Sequence, residues 1–278
     1  GKGVEIMLSE ITLGQYFPGN SFIHRLDPRT KILATLIYII AIFLADTPLA
    51  YGILIGFAAL VVAVAKLPVG LVFKSLKPIW IIILITMVIH MFTAPGENVV
   101  FSWKIFKITE EGLILGTKMA LRLILLLLFS SVLTFTTSPI VLTDGIEKLL
   151  RPFKCIGVPA HELAMMMTIA LRFIPTLLEE TDRIMKAQTA RGADFSSGNL
   201  IERAKNMLPL LVPLFVSAFR RAEELAIAME SRCYRGGEGR TRMHELSYKS
   251  IDYTAFAAVI FLAVGLAVLR WGAGLCAL

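Results

Sequence analysis

The strongest constraint in this chain is a set of long stretches without charge. Leu49 to Ala65 and Ile79 to Ala94 contain no Asp, Glu, Lys or Arg. Thr254 to Leu278 is broken only by Arg270, and Gly112 to Thr137 only by Lys118 and Arg122. A helix of about 20 apolar residues spans the hydrocarbon core of a bilayer, and it satisfies its own backbone hydrogen bonds while doing so. A fifth run, Ile32 to Ala45, is short at 14 residues and stops at Asp46-Thr47-Pro48. With 18 % charged residues and a mean hydropathy of +0.73, the composition is that of an integral membrane protein. The fold class expected is all-α, with about five transmembrane helices.

The formal charge is +7, and its placement decides what it means. Lys and Arg lie between the apolar runs. One side of the membrane receives 23 of them, and the other receives Lys104, Lys107 and Arg270. The positive-inside rule makes the side with 23 cytoplasmic. That places the N-terminus and the long segment 138–250 inside, and the C-terminus outside. The charge follows topology and forms no soluble basic face, so the partner it implies is the lipid bilayer and not nucleic acid. Cys155, Cys233 and Cys276 are far apart, have no metal-ligand spacing and read as reduced. The first apolar run begins only near Ile32, so no cleavable signal peptide is expected. Residues 1–6 precede Met7 and read as a tag remnant. The organisation expected is a membrane domain over 7–137, a cytoplasmic helical domain over 138–250 and a last transmembrane helix over 251–278.

Along the chain, Asp27-Pro28 is a helix start, because Asp caps and Pro fits the first turn. Lys66 to Pro78 reads as a loop, Val99 to Ile108 as a short hairpin and Val141 to Phe153 as a short amphipathic helix. Ala160 to Arg191 would form a helix roughly 50 Å long, kinked at Pro175. Its first half is apolar; its second half carries Glu179, Glu180, Asp182, Arg183 and Lys186. Leu200 to Tyr234 repeats the design, with Leu211, Phe215, Ala218, Ala222, Leu225 and Met229 at spacings of three and four. Aligning Ala187 with Ala228 sets Arg191 over Arg232, a weak internal repeat 41 residues apart.

Both long helices end in a small residue, an arginine and a small residue: Ala190-Arg191-Gly192 and Ser231-Arg232-Cys233. A single arginine there is ordinarily a cation offsetting the helix dipole. Two projecting helices with the same ending point further, to a planar guanidinium entering a narrow acidic groove and pairing there with a carboxylate. Lys118 and Arg122 lie one turn apart inside a span, where charge is costly unless the side chains reach the headgroups. His90 reads as a hydrogen-bonded interior histidine, and Met165-Met166-Met167 as core filling or an adaptable contact surface. Glu179-Glu180 and Glu223-Glu224 read as solvated faces. The sequence contains no G-x-x-x-x-G-K-[ST] phosphate loop, no nucleophile–base motif and no H-E-x-x-H.

From Met7 onward the chain resembles the transmembrane (T) components of energy-coupling factor transporters. The resemblance rests on Gly19-Asn20-Ser21 with His24-Arg25-Leu26-Asp27-Pro28-Arg29-Thr30-Lys31, on Gln188-Thr189-Ala190-Arg191-Gly192-Ala193-Asp194, and on Ala228-Met229-Glu230-Ser231-Arg232-Cys233-Tyr234-Arg235-Gly236-Gly237. It implies an L-shaped helical protein of the prokaryotic cell membrane with two long, crossing cytoplasmic coupling helices. Their X-Arg-X tips would dock into two ATP-binding-cassette subunits, a heterodimer, and their apolar faces would cradle a membrane-embedded, substrate-binding S component for vitamin or micronutrient uptake. Met166, Leu171, Leu211 and Phe215 are the candidates for that contact. The second tip departs from the family's common Ala-Arg-Gly by small replacements. No cofactor or metal is expected on this chain, and ATP would be hydrolysed by the partner subunits. The other readings are a T component dedicated to cobalt or nickel, a lipid-modifying membrane enzyme using Glu179, Glu180 and Glu223, and a channel lined by His90, Lys118 and Arg122.

Overall fold

The computed structural model describes residues 16–93, 99–103, 106–193, 195, 199–236 and 246–275. Residues 1–6, Met7, the Pro95-Gly96 turn, Asp194, Gly237 and Cys276 lie outside the described residues. Within them the fold is helical: α1 (Pro28–Leu44), α2 (Pro48–Ala65), α3 (Val69–Leu76), α4 (Trp80–Thr93), α5 (Glu110–Thr136), α6 (Pro139–Leu150), α7 (Ala160–Ala190), α8 (Leu200–Asn206), α9 (Leu208–Ser231) and α10 (Ser250–Leu275). One antiparallel hairpin, β1 (Val99–Trp103) with β2 (Phe106–Thr109), separates α4 from α5 and sets Trp103 opposite Phe106.

Local chemistry fixes most boundaries. The Asp27 side chain caps α1 by accepting the Arg29 N–H at 2.9 Å, with Pro28 in the first turn. Thr47 and Thr109 cap α2 and α5 in the same way, through Ala50 N–H and Gly112 N–H. Residues 66–78 are not the expected loop. Most of that stretch is α3, which passes through a 3-10 turn at Lys77–Ile79 into α4, because Pro78 denies the backbone a donor without stopping the chain from curling. The expected helix over 200–234 is likewise two helices. Pro209 begins α9 in its first turn, so the break falls at Met207. α7 runs unbroken through Pro175.

The chain divides into two compact units, one of residues 16–145 with 246–275 and the other of residues 146–236. The last helix therefore belongs with the N-terminal helices, where α10 lies against α1. The core of this unit comes from α1, α2, α5 and α10: Tyr38, Ile42, Leu54, Phe129 and Leu266. Tyr38 stacks on Phe129 at 3.9 Å between ring centroids and donates its hydroxyl to the Leu54 carbonyl at 2.9 Å. Gly112 and Gly116 let α5 touch α4 closely. A Cβ at either would stand 2.7 or 2.8 Å from the Met91 or Met87 carbonyl oxygen, so shape complementarity of small residues holds this pair where lipid offers no hydrophobic drive.

A buried polar knot ties the helix ends of the same unit together. The Lys31 ammonium donates to the carbonyls of Thr136 (2.9 Å) and His24 (3.2 Å) and to the Thr137 hydroxyl (3.2 Å). It thus places a positive charge at the C-terminus of α5, where the helix dipole favours one. The Asp252 carboxylate, 2 % exposed, accepts the Asp27 N–H at 2.7 Å and the Lys249 N–H at 2.8 Å. One side chain thereby serves the N-termini of both α1 and α10. Gly19 packs closely on the His24 ring, which bonds to Ser21 and the Phe17 carbonyl; a Cβ there would stand 2.9 Å from the ring and push it aside. The stretch from Gly19 to Lys31 is a structural fastening.

Among the described residues, five helical runs are long and apolar enough to cross a membrane: Pro48–Ala65, Val69–Thr93, Glu110–Thr136, Ala160–Ala190 and Ser250–Arg270. The set differs from the expected five in one member. α1, with 17 residues, is about 26 Å long, short of the ~30 Å core. α7 qualifies through its apolar first half.

Replacing Asp252 with Ala should leave two amide donors without an acceptor and cost about 2–4 kcal/mol. The thermal midpoint of the detergent-solubilised protein should fall, with Asp252→Asn intermediate; an unchanged midpoint would contradict the knot.

Candidate functional site: two arginine-tipped helices

Unit 146–236 is built on the contact between α7 and α9. The Arg221 guanidinium donates to Glu180 Oε2 at 2.6 Å across the pair, and its Nε lies 3.4 Å from the Ser217 hydroxyl of its own helix. Glu180 and Arg221 are 41 residues apart, the same offset that superposes the two arginine tips. Equivalent positions of the repeat therefore meet. Each arginine lies 11 residues beyond the bridging residue on its own helix, about 16 Å of helix. The two arms are of equal length.

The two tips also share one backbone geometry. At the end of α7, Arg191 is the last helical cap, Gly192 has φ +89°, the Gly192 N–H donates to Thr189 O and the Ala193 N–H to Gln188 O, both at 3.0 Å. At the end of α9, Arg232 is the cap, Cys233 has φ +56°, the Cys233 N–H donates to Glu230 O at 2.8 Å and the Tyr234 N–H to Met229 O at 3.0 Å. Both are Schellman turns, with six-to-one and five-to-two bonds closing the helix. The X-Arg-X pattern is thus a stop signal that fixes the guanidinium's stem at the rim of the last turn. Ala190, Arg191, Gly192, Ser231, Arg232 and Cys233 are all exposed. Among the described residues, neither arginine has a hydrogen-bond or ion-pair partner.

The second tip has a brace that the sequence did not disclose. Tyr234, directly after it, lies with its hydroxyl 3.4 Å from His161 Nε2 at the start of α7, and His161 Nδ1 lies 3.2 Å from Glu147 Oε1. No spacing rule connects residues 147, 161 and 234. The Glu180–Arg221 bridge did have a signal in the 41-residue repeat.

The apolar faces are divided. On α9 the half-buried positions Leu214, Ser217, Ala218, Arg221, Leu225 and Met229 form one stripe. A second stripe of large side chains is open: Leu208, Leu211, Val212, Phe215, Val216 and Phe219 are 44–72 % exposed. Leu211 and Phe215 sit on this open stripe, while Ala218, Leu225 and Met229 sit on the other; the single expected face is two. Met166 is exposed and Leu171 half-buried on α7. His90 bonds to the Thr86 carbonyl of its own helix at 2.8 Å. Glu179 and Glu223 are exposed while Glu180 is engaged with Arg221, so the three carboxylates do not act on a common point. Cys155 and Cys233 are free thiols.

Cys233 occupies a left-handed conformation that costs a side chain with a Cβ about 1–2 kcal/mol, whereas Gly192 occupies it freely. Cys233→Gly should slow amide exchange in the last turn of α9, and Gly192→Ala should speed it in α7, although a Cβ at Gly192 meets nothing within 4 Å. Equal exchange in both variants and wild type would contradict the paired turns. Reversing the bridge as Glu180→Arg with Arg221→Glu should restore what either change alone removes from the stability of the helix pair, a coupling of up to about 1 kcal/mol for a partly exposed pair. An absence of coupling in that cycle would show that the bridge does not set the register.

Comparison with known proteins gives a consistent result. Residues 19–244 match the CbiQ family, described as cobalt transport protein. The energy-coupling factor transporter transmembrane protein EcfT of Acidaminococcus fermentans is 71 % identical over 266 residues, covering 96 % of this chain and 99 % of the relative. Its namesakes from Clostridium kluyveri and Bacillus subtilis are 56 % and 48 % identical, covering 96 % and 95 % of this chain and the full length of each relative. With the match running end to end and both arginine-tipped helices inside it, the chain belongs to the CbiQ family and is a multi-pass transmembrane (T) component of an energy-coupling factor transporter.

Proposed function

We propose that this chain is the scaffold and coupling subunit of its transporter, passing ATP-driven motion from two ATP-binding-cassette ATPases to a membrane-embedded S component for vitamin or micronutrient uptake. The observation that carries the reading is the pair of identical Schellman turns. They hold two exposed guanidinium groups, without a partner among the described residues, at equal distances from a cross-helix ion pair. Such a device is matched to two related sockets that move together. A guanidinium suits a socket offering a carboxylate, because its planar fork makes two parallel hydrogen bonds.

In the proposed mechanism, ATP binding closes the two ATPases and shifts both sockets. Arg191 and Arg232, with Ala190, Gly192, Ser231 and Cys233 giving close access, follow that shift. α7 and α9 transmit it because Glu180–Arg221 resists sliding of one helix along the other. The apolar surfaces, Leu211 and Phe215 on α9 with the exposed Met166 and half-buried Leu171 on α7, carry the S component and tilt it. These helices lie on the cytoplasmic side, as the 23 Lys and Arg on that side support. In this topology α1, lying against α5 and α10, completes five spans and α7 lies along the interface. The chain itself performs no chemistry and binds no cofactor. ATP hydrolysis belongs to the partners, a view supported by the missing phosphate loop in this sequence.

A second reading, a T component serving a cobalt or nickel S component alone, is favoured by the description of the matched family as cobalt transport protein. Copurification of one ATPase type with a single metal-related S component would select it.

Arg191→Ala and Arg232→Ala should leave membrane insertion intact and reduce uptake by the reconstituted transporter by about tenfold or more, the scale of removing one charge-assisted hydrogen-bonded pair. Unchanged complex recovery together with unchanged uptake in both variants would overturn the coupling role.

A further inference from the structure

Two cations inside α5 have no part in the coupling device. Lys118 and Arg122 lie about 12 and 18 Å along a helix of 27 residues, itself about 40 Å long. Centring a ~30 Å hydrocarbon core on that helix puts them about 7 and 13 Å below the surface on the hairpin side. Both side chains are half-buried. The Arg122 guanidinium lies over the Phe43 ring of α1, 5.2 Å from its centroid, and its Nη1 finds only the Met119 sulfur at 3.9 Å. Its Nε is buried and has no hydrogen-bond partner. Among the described residues Lys118 has no partner either. The other intramembrane-end cation is different, since Arg270 pairs with Asp46 at 3.1 Å.

No acidic residue lies in α1, α2 or α4, and in α5 and α10 the only ones are Glu110, Glu111 and Asp252 in their first turns. Among the described residues, neither of these two positive charges in an apolar span is paired with a carboxylate, and a charge in that position is expected to have a counter-charge. Cα–Cβ bonds on a helix tilt toward its N-terminus. Both side chains therefore lean toward the hairpin-side interface, where lipid phosphates are already present.

We propose that Lys118 and Arg122 form a binding site for one anionic phospholipid of the leaflet on the hairpin side, its phosphate drawn down to the two cations. Its acyl chain runs over the exposed face of α1, where Leu36, Ile40 and Phe43 are about half exposed. Arg122 supplies the planar donor pair for the phosphate, with Phe43 holding the guanidinium plane, and Lys118 supplies the point charge nearer the interface. Two cations against one phosphate favour a headgroup with net negative charge, such as phosphatidylglycerol, over zwitterionic phosphatidylcholine.

The test is native mass spectrometry of the full chain transferred from bilayer discs containing equal phosphatidylglycerol and phosphatidylcholine. Wild type should retain one phosphatidylglycerol per chain in preference to phosphatidylcholine. Lys118→Gln with Arg122→Gln should reduce that retention about tenfold or more, as expected when a charge-assisted hydrogen bond to phosphate is removed. Lys74→Gln with Lys77→Gln, which removes the same charge elsewhere, should not. Arg122→Lys, a variant that keeps the charge in the span, should retain the lipid more weakly than wild type and guards against misfolding of the double variant. Equal retention of both lipids by wild type, equal loss in the Lys74/Lys77 control, or undiminished retention in the Lys118/Arg122 variant would overturn the site. Loss of a copurifying membrane protein from that variant while the lipid stays would assign the two cations to a partner's carboxylate instead.

Discussion

The contact between Glu180 and Arg221 sets the register of α7 and α9, and the positions of both tips follow from that register. The pair is partly exposed, so its net contribution to stability is small. Its value is geometric. Sliding one helix by a single residue along the other would cost the hydrogen bond and leave the two arginines at different distances from the crossing. Because residues at the same place in the repeat pair with each other, the two arms are equal. A symmetric pair of guanidinium groups is what a subunit needs if it is to sit on two similar partners.

The other unit solves a different problem. Membrane helices do not find one another by hydrophobic burial, and here small residues and polar knots do the work. Gly112 and Gly116 bring α4 and α5 into backbone contact, and Tyr38 fills the centre while satisfying its own hydroxyl. Lys31 and Asp252 satisfy the buried ends of three helices, α5, α1 and α10, with charges of the sign each end favours. The resulting unit is a fixed platform of spans.

Much of this was legible in the sequence. Uncharged runs of bilayer length gave the helical membrane class, and Asp27-Pro28 gave a helix start to the residue. The repeated X-Arg-X endings located the tips; Glu180 and Arg221 share their 41-residue offset, but Glu180 read as part of a solvated face and only the packing of α9 on α7 shows the pair. Other features were hidden for physical reasons. Lys66 to Pro78 looked like a loop because three lysines and two prolines mask an amphipathic turn of helix. The division of α9 into a stripe facing α7 and a stripe left open depends on where the neighbouring helix lies, which periodicity cannot supply. The Lys31 and Asp252 knots and the Glu147–His161–Tyr234 brace include contacts between residues as many as 225 positions apart, and only folding brings those together. Cys233 read as a small substitute for glycine; its backbone shows that it also takes on glycine's left-handed conformation.

The central claim is that the two arginine tips exist to hold partners, and what comes out of the membrane with the chain tests it most directly. An affinity pull-down from native membranes in mild detergent, read by mass spectrometry, should recover two related ATPases and one or more small substrate-binding membrane proteins. Recovery of the chain alone, under conditions gentle enough to keep its own fold, would contradict that claim.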